Sequence, residues 1–346
     1  MTKKLNYKKS GVDIDTANET KREMTEVLET SEARVLNKIG AFASLFDGSF
    51  PEYKHPVLVL KTEEPGTKQK LAFKEGSIKT IAQDLIAHLI NDCIVMGAKP
   101  LSVQDCIICG KIEKDVVLKI VSSIVAACKE NGAVLTGGET SEQPGALAVG
   151  EYLLTASIVG IVEKENIVDG SKIQVGDVVL ALTSSGVHTN GFSLVRKIME
   201  ASPEIGDEQV AGEPFIKAIL TPHRCYYNCL RDLFGKKELV GLAHVTGGGI
   251  QENLNRILPE GLNAQIDLSA IRVLPIFKIL KKFGGLEDAD MLRTFNMGVG
   301  ITAVVRKEFV EEAIAHLKQY EVVAYEIGVI AEGNKNVELI GELQWE

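Results

Sequence analysis

Between residues 57 and 163 the apolar positions switch repeatedly between a period of two and a period near 3.6. "VLVLK" reads as a strand, "TIAQDLIAHLINDCIVMGA" as a helix and "LSVQDCIICGK" as a strand. "KDVVLKIVSSIVAACKENG" then reads as a helix closed by Gly132, followed by strands "AVLTG" and "EYLLTASIVGIV". The polar stretch "EKENIVDGSKIQVGD" breaks the pattern, so a domain boundary is expected near residue 167, dividing the chain into 1–167 and 168–346. A second alternation follows: strand "VVLALT", helix "FSLVRKIME", helical "PHRCYYNCLRDLF", strand "LAHVT", helix "IQENLNRIL" and strand "NAQID". It ends with helix "IFKILKKF", strand "GVGITAVV", helix "EEAIAHLKQY" and strands "VVAYEIGVI" and "VELIG". Two α/β domains are expected, and the connections leave open whether each sheet is parallel or mixed.

Wound at 3.6 residues per turn, the first long helix places Asp84, His88, Asn91 and Asp92 within one arc of about 100°. Ala82, Leu85, Ile86, Leu89, Ile90 and Cys93 take the opposite side. A solvated face is the plain reading of such a stripe. Solvated faces, however, usually carry flexible Lys and Glu, whereas short carboxylates and amides suit fixed geometry and are oxygen ligands for Mg²⁺.

Four turns carry further candidate chemistry. "TEEPGTKQKLAF" sets Gly66, Thr67 and Lys68, suited to phosphate, beside the carboxylates of Glu63 and Glu64. "LTGGETSEQPGAL" ends a strand at Gly137-Gly138, where backbone can approach a ligand closely, and continues with Glu139 and Thr140. "SSGVHTNGFSLVRK" breaks a strand at Ser185-Gly186, adds His188 and Asn190, and opens a helix at Gly191, which directs N–H groups toward an anion. It lacks a G-x-S-x-G elbow, so a serine nucleophile is not expected. "LAHVTGGGIQENLNRIL" repeats the strand-to-helix design with Thr246 and Gly247, Gly248 and Gly249. It fits neither the dinucleotide fingerprint nor the P-loop. Asn296 and Gly298 stand before a later strand. Acids in the first half and glycine turns in the second suggest a site between the domains.

Composition narrows the classes. A net charge of −9 argues against a nucleic-acid backbone as partner. No apolar run approaches the ~20 residues of a membrane span, and the N-terminus has no apolar leader core, so a cytoplasmic protein is expected. The six cysteines lack zinc spacing, and Cys106-x-x-Cys109 falls inside a strand-like run, so buried inert thiols are expected.

The blocks "YKKSGVDIDTANE", "PGTK", "TIAQDLIAHLINDCIVMGAKPL", "GGETSEQPG", "SSGVHTNGFSLVRK", "LTPHR", "HVTGGGIQENLNRILPEGL" and "RTFNMGVG" follow one another as they do in the phosphoribosylformylglycinamidine cyclo-ligase family, which the chain resembles over almost its whole length. The resemblance implies ATP-dependent ring closure of formylglycinamidine ribonucleotide to aminoimidazole ribonucleotide, with Mg²⁺, in a homodimer whose N-terminal domains share a β-barrel. It implies that Glu63, Gly66, Thr67, Lys68, Asp84, Asn91, Asp92, Gly137, Gly138, Glu139 and Thr140 face the nucleotide, with Glu63, Asp92 and Glu139 toward the metal. It implies that Ser185, Gly186, His188, Asn190, Thr246, Gly247 to Gly249 and Asn296 hold the ribonucleotide, and that His188, Asn190, Lys68 and Asp92 take part in the chemistry. The chain departs from the family at Glu63-Glu64-Pro65, where Asp-Gly-Val is usual, in the thin "IGAFASLF" segment, and at Leu153, where an acid is usual. Other readings are a related ATP-using enzyme acting on thiamine phosphate, selenide or a hydrogenase-maturation partner, and a catalytically impaired paralogue that binds nucleotide.

Overall fold

The structure is a computed structural model and describes residues 14–37 and 40–345. Most of "YKKSGVDIDTANE" and Ile39 of "IGAFASLF" lie outside the described residues. The first half comprises α1 (Ile14–Val27), β1 (Pro56–Glu63), α2 (Lys68–Lys74), α3 (Ile78–Ile94), β2 (Lys99–Cys109), α4 (Lys114–Glu130), β3 (Val134–Glu142) and β4 (Tyr152–Glu163). Its sheet runs in the order β1-β4-β2-β3 and is mixed, since β2 and β3 are parallel while β4 is antiparallel to both neighbours. Helix α3 lies across β4 and β1 and packs on α4. Ile81, Leu85, Ile86, Leu89 and Ile90 are fully buried there. Each such side chain contributes roughly 1.5–3 kcal/mol of transfer free energy, which fixes the helix on the sheet. On the other face Leu58 and Leu60 remain 54% and 70% exposed, beside half-exposed Leu153. The sheet is open in the single chain, with β1 and β3 as edges.

The second half comprises β5 (Val178–Thr183), α5 (Phe192–Ala201), the small ladder β6 (Gln209–Val210) with β7 (Glu213–Pro214), α6 (Phe215–Ile219), α7 (Tyr227–Leu230), β8 (Leu239–His244) and α8 (Gly249–Asn255). It continues through β9 (Leu262–Asp267), α9 (Pro275–Gly284), α10 (Asp288–Thr294), β10 (Val299–Val305), α11 (Val310–Lys318), β11 (Ala324–Glu332) and β12 (Asn336–Ile340). The six-stranded sheet has the order β12-β9-β11-β5-β10-β8, antiparallel except where β12 joins β9.

The expected helix over "PHRCYYNCLRDLF" is helical only at Tyr227–Leu230, with a 3-10 turn at Arg231–Leu233. The reason is competition for the backbone. The His223 N–H donates to Asp84, the Tyr226 N–H donates to Asn91, and the Thr221 and Arg224 carbonyls accept from Lys68 and Asn91. These groups are satisfied by the first domain, so the segment has no need of helical partners.

Candidate active site

The polar stripe of α3 is the seam between the two halves. Asp84 and Asn91 are fully buried, His88 is buried, and Asp92 is half-buried. Lys68 Nζ lies 2.8 Å from Asp84 Oδ2 and donates to the Thr221 carbonyl at 2.8 Å, with both charged side chains fully buried. Burial pushes the Lys68 ammonium down and the Asp84 carboxyl up, and their contact opposes both shifts. Thr67 Oγ1 reaches Ser193 Oγ at 3.2 Å, and a Cβ on Gly66, at φ +61°, would stand 3.2 Å from the Thr189 carbonyl. The loop read as a phosphate loop therefore docks on the N-terminal end of α5. Lys68, Asp84 and Asn91, expected to face nucleotide, are engaged as interdomain latches.

Four of the six histidines meet at this seam. His244 Nδ1 lies 2.7 Å from Asp92 Oδ1, and His244 Nε2 lies 3.1 Å from His223 Nε2. Thr189 Oγ1 bridges His223 Nδ1 at 3.3 Å and His88 Nδ1 at 3.0 Å. His188 stacks on His223 with centroids 3.8 Å apart and planes 17° apart. Its Nε2 accepts from the Ser185 N–H, and its backbone sits at φ +63°, a conformation held by its surroundings. Burial pushes His88 down to about 3 and holds His188 and His223 well below the ordinary imidazole value, so these rings are neutral. Burial raises Asp92, but the hydrogen bond and charge of His244 outweigh it and hold the carboxyl below its usual range. Lys61 bridges Asp92 Oδ2 at 3.0 Å and Glu63 Oε1 at 2.7 Å. Glu63 and Asp92 thus share one ammonium.

A cavity of about 720 Å³ opens between α1, residues 40–44 and the β2, β3 and β4 ends, lined by Asp105, Gly137, Gly138, Glu139, Thr140 and Thr155 among others. A Cβ on Gly138 would lie 2.1 Å from the Asp105 carbonyl oxygen, so only glycine fits there. Gly137 sits at φ +144°. Asp105 is buried with no basic partner among the described residues, and burial pushes its carboxyl up to about 7. Burial, with the charges of Asp105 and Glu139, raises the Cys106 thiol. Glu63, Ala156 and Asp105 are direct cross-strand partners and share a sheet face, whereas Glu139 pairs with Cys106 on the other. The structure does not bring Glu139 together with Glu63 and Asp92. Asp105 had no signal in the sequence beyond strand alternation, and His223 was hidden in an expected helix.

The second-half turns separate similarly. Ser185 and Gly186 line a cavity of about 340 Å³ with Lys217, Thr221, Leu274 and Ile276. Asn296 donates to the Gly186 and Val187 carbonyls at 2.9 and 3.2 Å and accepts from the Gly298 N–H, which fixes that turn. Asn190 stands next to Gly247, where an added Cβ would be 3.7 Å from its Oδ1. In the triple-glycine turn the Gly248 N–H donates to the Arg293 carbonyl and the Gly249 N–H to the Thr246 carbonyl. Thr246 Oγ1 bonds Asn253, whose amide also serves the Gly247 and Gly249 carbonyls. Two of the three glycine N–H groups are therefore already used. The run permits close packing instead, because a Cβ on Gly249 would lie 1.9 Å from the Leu292 carbonyl.

This pair of unequal α/β domains, joined by a buried polar seam beside an acid-lined, glycine-edged cavity, defines an AIR synthase related protein. The N-terminal domain of that family matches residues 53–162, and its C-terminal domain matches residues 174–340. The same fold occurs in hydrogenase maturation protein HypE of E. coli, with TM-score 0.68, 17% identity and 94% of each chain covered. Thiamine-monophosphate kinase of Stenotrophomonas maltophilia gives TM-score 0.66 and 17% identity over 94% of this chain and 97% of that one. At such identities these likenesses concern the fold.

Sequence carries the assignment further. The chain is 43% identical over 328 residues to phosphoribosylformylglycinamidine cyclo-ligase of Burkholderia cenocepacia, covering 94% of this chain and 93% of the relative. It is 41% identical over 337 residues to that of Caldanaerobacter subterraneus, covering 96% and 99%, and 40% identical over 331 residues to that of Bacillus cereus, covering 94% and 96%. The chain belongs to the phosphoribosylformylglycinamidine cyclo-ligase family.

Proposed function

We propose that the chain closes the imidazole ring of formylglycinamidine ribonucleotide, using ATP and giving aminoimidazole ribonucleotide, ADP and phosphate. The reading is carried by the end-to-end match, at 40–43% identity, to relatives named for this ligation. In this chemistry the formyl oxygen takes the γ-phosphoryl group and becomes a leaving group, and the neighbouring nitrogen attacks the carbon.

The 720 Å³ cavity is the proposed nucleotide site, with Gly137 and Gly138 allowing close backbone approach and Thr140 as a hydroxyl donor. Its donor set fits Mg²⁺, which prefers oxygen: the Glu139 carboxylate and the Thr140 hydroxyl both line it. Glu139 would hold the ion, which supplies charge neutralisation of the triphosphate when bound. Glu63 and Asp92 share the Lys61 ammonium at the seam, apart from this cavity. The 340 Å³ cavity is the proposed entry for the ribonucleotide, with the Ser185 and Lys217 side chains as polar contacts and Asn190 at the adjoining turn. Burial keeps the His188 ring neutral between His223 and Gly300, and its Nε2 accepts from the N–H of Ser185, which lines this cavity.

The exposed Leu58, Leu60 and Leu153 on the open sheet face support a homodimer that closes a barrel between two copies. No helix among the described residues is long and apolar enough to cross a membrane. ATP and ribonucleotide substrates suit a cytoplasmic enzyme. Complementation tests the whole reading: this gene should restore growth without purines to a strain lacking its cyclo-ligase. Failure to do so with soluble protein present would favour a nucleotide-binding paralogue.

A further inference from the structure

Where β1 meets α3, a run of ionic contacts occupies every oxygen of two carboxylates. Lys61 and Glu63 stand two residues apart on the edge strand β1, so their side chains leave the same face of the sheet. The Lys61 ammonium lies 2.7 Å from Glu63 Oε1 and 3.0 Å from Asp92 Oδ2 on α3. The other Asp92 oxygen, Oδ1, is held at 2.7 Å by His244 Nδ1 from the second domain, and Glu63 Oε2 accepts from the Glu64 N–H at 3.3 Å. Burial opposes the charge on Lys61, yet its hydrogen bonds and charge contacts with Glu63 and Asp92 outweigh it and raise the ammonium above its ordinary value. The nitrogen is therefore a cation at neutral pH.

The resemblance to the cyclo-ligases puts Glu63, Asp92 and Glu139 toward the metal, and the three stand differently here. Glu139 is exposed and lines the 720 Å³ cavity. Glu63 and Asp92 converge on an ammonium carried by the chain itself. Mg²⁺ needs octahedral oxygen ligands at about 2.0–2.1 Å and keeps several waters, whereas an ammonium is satisfied by a few acceptors at hydrogen-bond distance. An ion entering between these acids would have to displace Lys61, and the ammonium repels it while it stays. The pair as built does not fit a divalent ion.

We propose that Lys61 is the resident cation of the Glu63–Asp92 pair: its ammonium takes the place that the resemblance gives to a metal ion, and the chain confines its divalent metal to the Glu139 cavity. Lys61 is a positioning residue in this account. It holds Asp92 where His244 meets it, tying β1 through α3 to the second domain, and it sets how many ions the chain takes up. Without the ammonium, two carboxylates converge with no counter-charge, and that oxygen donor set draws Mg²⁺ or Mn²⁺. The inference deepens the cyclo-ligase reading, on which the metal-side role of Glu63 and Asp92 rests. It is measured by counting ions without nucleotide or turnover, so its failure is distinguishable from the failure of that reading.

The full chain, dialysed against chelator, is titrated with MnCl₂, and free Mn²⁺ is counted from its electron paramagnetic resonance signal. Lys61→Ala should bind one Mn²⁺ per chain more than the unaltered protein, and Lys61→Ala/Glu63→Gln should lose that extra ion. Lys61→Arg keeps the positive charge and should match the unaltered count. Equal counts for Lys61→Ala and the unaltered chain, or an extra ion that Glu63→Gln does not remove, overturn the proposal. Glu63→Gln in the otherwise unaltered chain supplies a test that does not depend on the folding of the Lys61 variants. It should leave the Mn²⁺ count unchanged, and the loss of an ion would show a metal already seated between the acids and overturn the proposal.

Discussion

Replacing Lys68 by Met keeps the length of the stem and removes the charge that Asp84 faces at 2.8 Å. Truncating one member of a buried ion pair typically costs about 3–5 kcal/mol, because the remaining charge is left in low dielectric. Asp84 keeps one donor, the His223 N–H at 2.7 Å, and a hydrogen bond to a charged group is worth roughly 1.5–3 kcal/mol, so the expected loss lies at the lower end, about 3 kcal/mol. The sign with pH is defined. Asp84 has a raised carboxyl in the folded chain, so its contribution is most favourable below the unfolded carboxylate value and is lost as pH rises through the folded one. Removing Lys68 enlarges that shift, and the deficit of Lys68→Met should shrink as the pH is lowered from 8 toward 5. The double variant Lys68→Met/Asp84→Asn removes both charges while an amide oxygen still accepts from His223, and it should return to within about 1 kcal/mol of the parent. Equilibrium urea unfolding followed by far-ultraviolet circular dichroism measures all three chains. A loss below about 1 kcal/mol for the single variant, or a double variant no better than the single, would refute the latch.

Asp105→Asn should stabilise the nucleotide-free protein at pH 8, because a carboxyl pushed up to about 7 loses its stabilising contribution as pH rises through that value. Thermal unfolding of both chains at pH 5 and pH 8 checks this, and equal stability at pH 8 would refute it. Gly138→Ala should reduce nucleotide affinity at least about tenfold, since its Cβ meets the Asp105 carbonyl at 2.1 Å; unchanged affinity would mean that β2 and β3 part without cost. Glu63→Ala should impair steady-state ATP use far more than Glu64→Ala, because Glu63 shares Lys61 with Asp92 while Glu64 is exposed; equal small effects would sink the assignment.

The long elements were legible because their apolar period is strong: α3, α4 and β4 fall where the sequence pattern puts them. The stripe of Asp84, His88, Asn91 and Asp92 was legible as special, but not its destination. A buried face made of short polar groups looks solvated until a partner domain covers it, and periodicity carries no information about that partner. The same blindness explains the lost helix at "PHRCYYN", whose backbone bonds go to side chains more than a hundred residues away. In the triple-glycine turn the sequence could not distinguish glycine needed for an anion from glycine needed beside Leu292. Asp105 lay unmarked because its importance comes from burial without a basic partner, a property of the assembled sheet. The resemblance to the cyclo-ligases identified the family where spacing alone left kinases and synthetases open.

The most direct measurement incubates purified full-length protein with formylglycinamidine ribonucleotide, ATP and Mg²⁺ and quantifies aminoimidazole ribonucleotide against ADP. Product should form in one-to-one ratio with ADP and only when ATP is present. ATP binding without ring closure, at high enzyme concentration and with folded protein, would contradict the assignment.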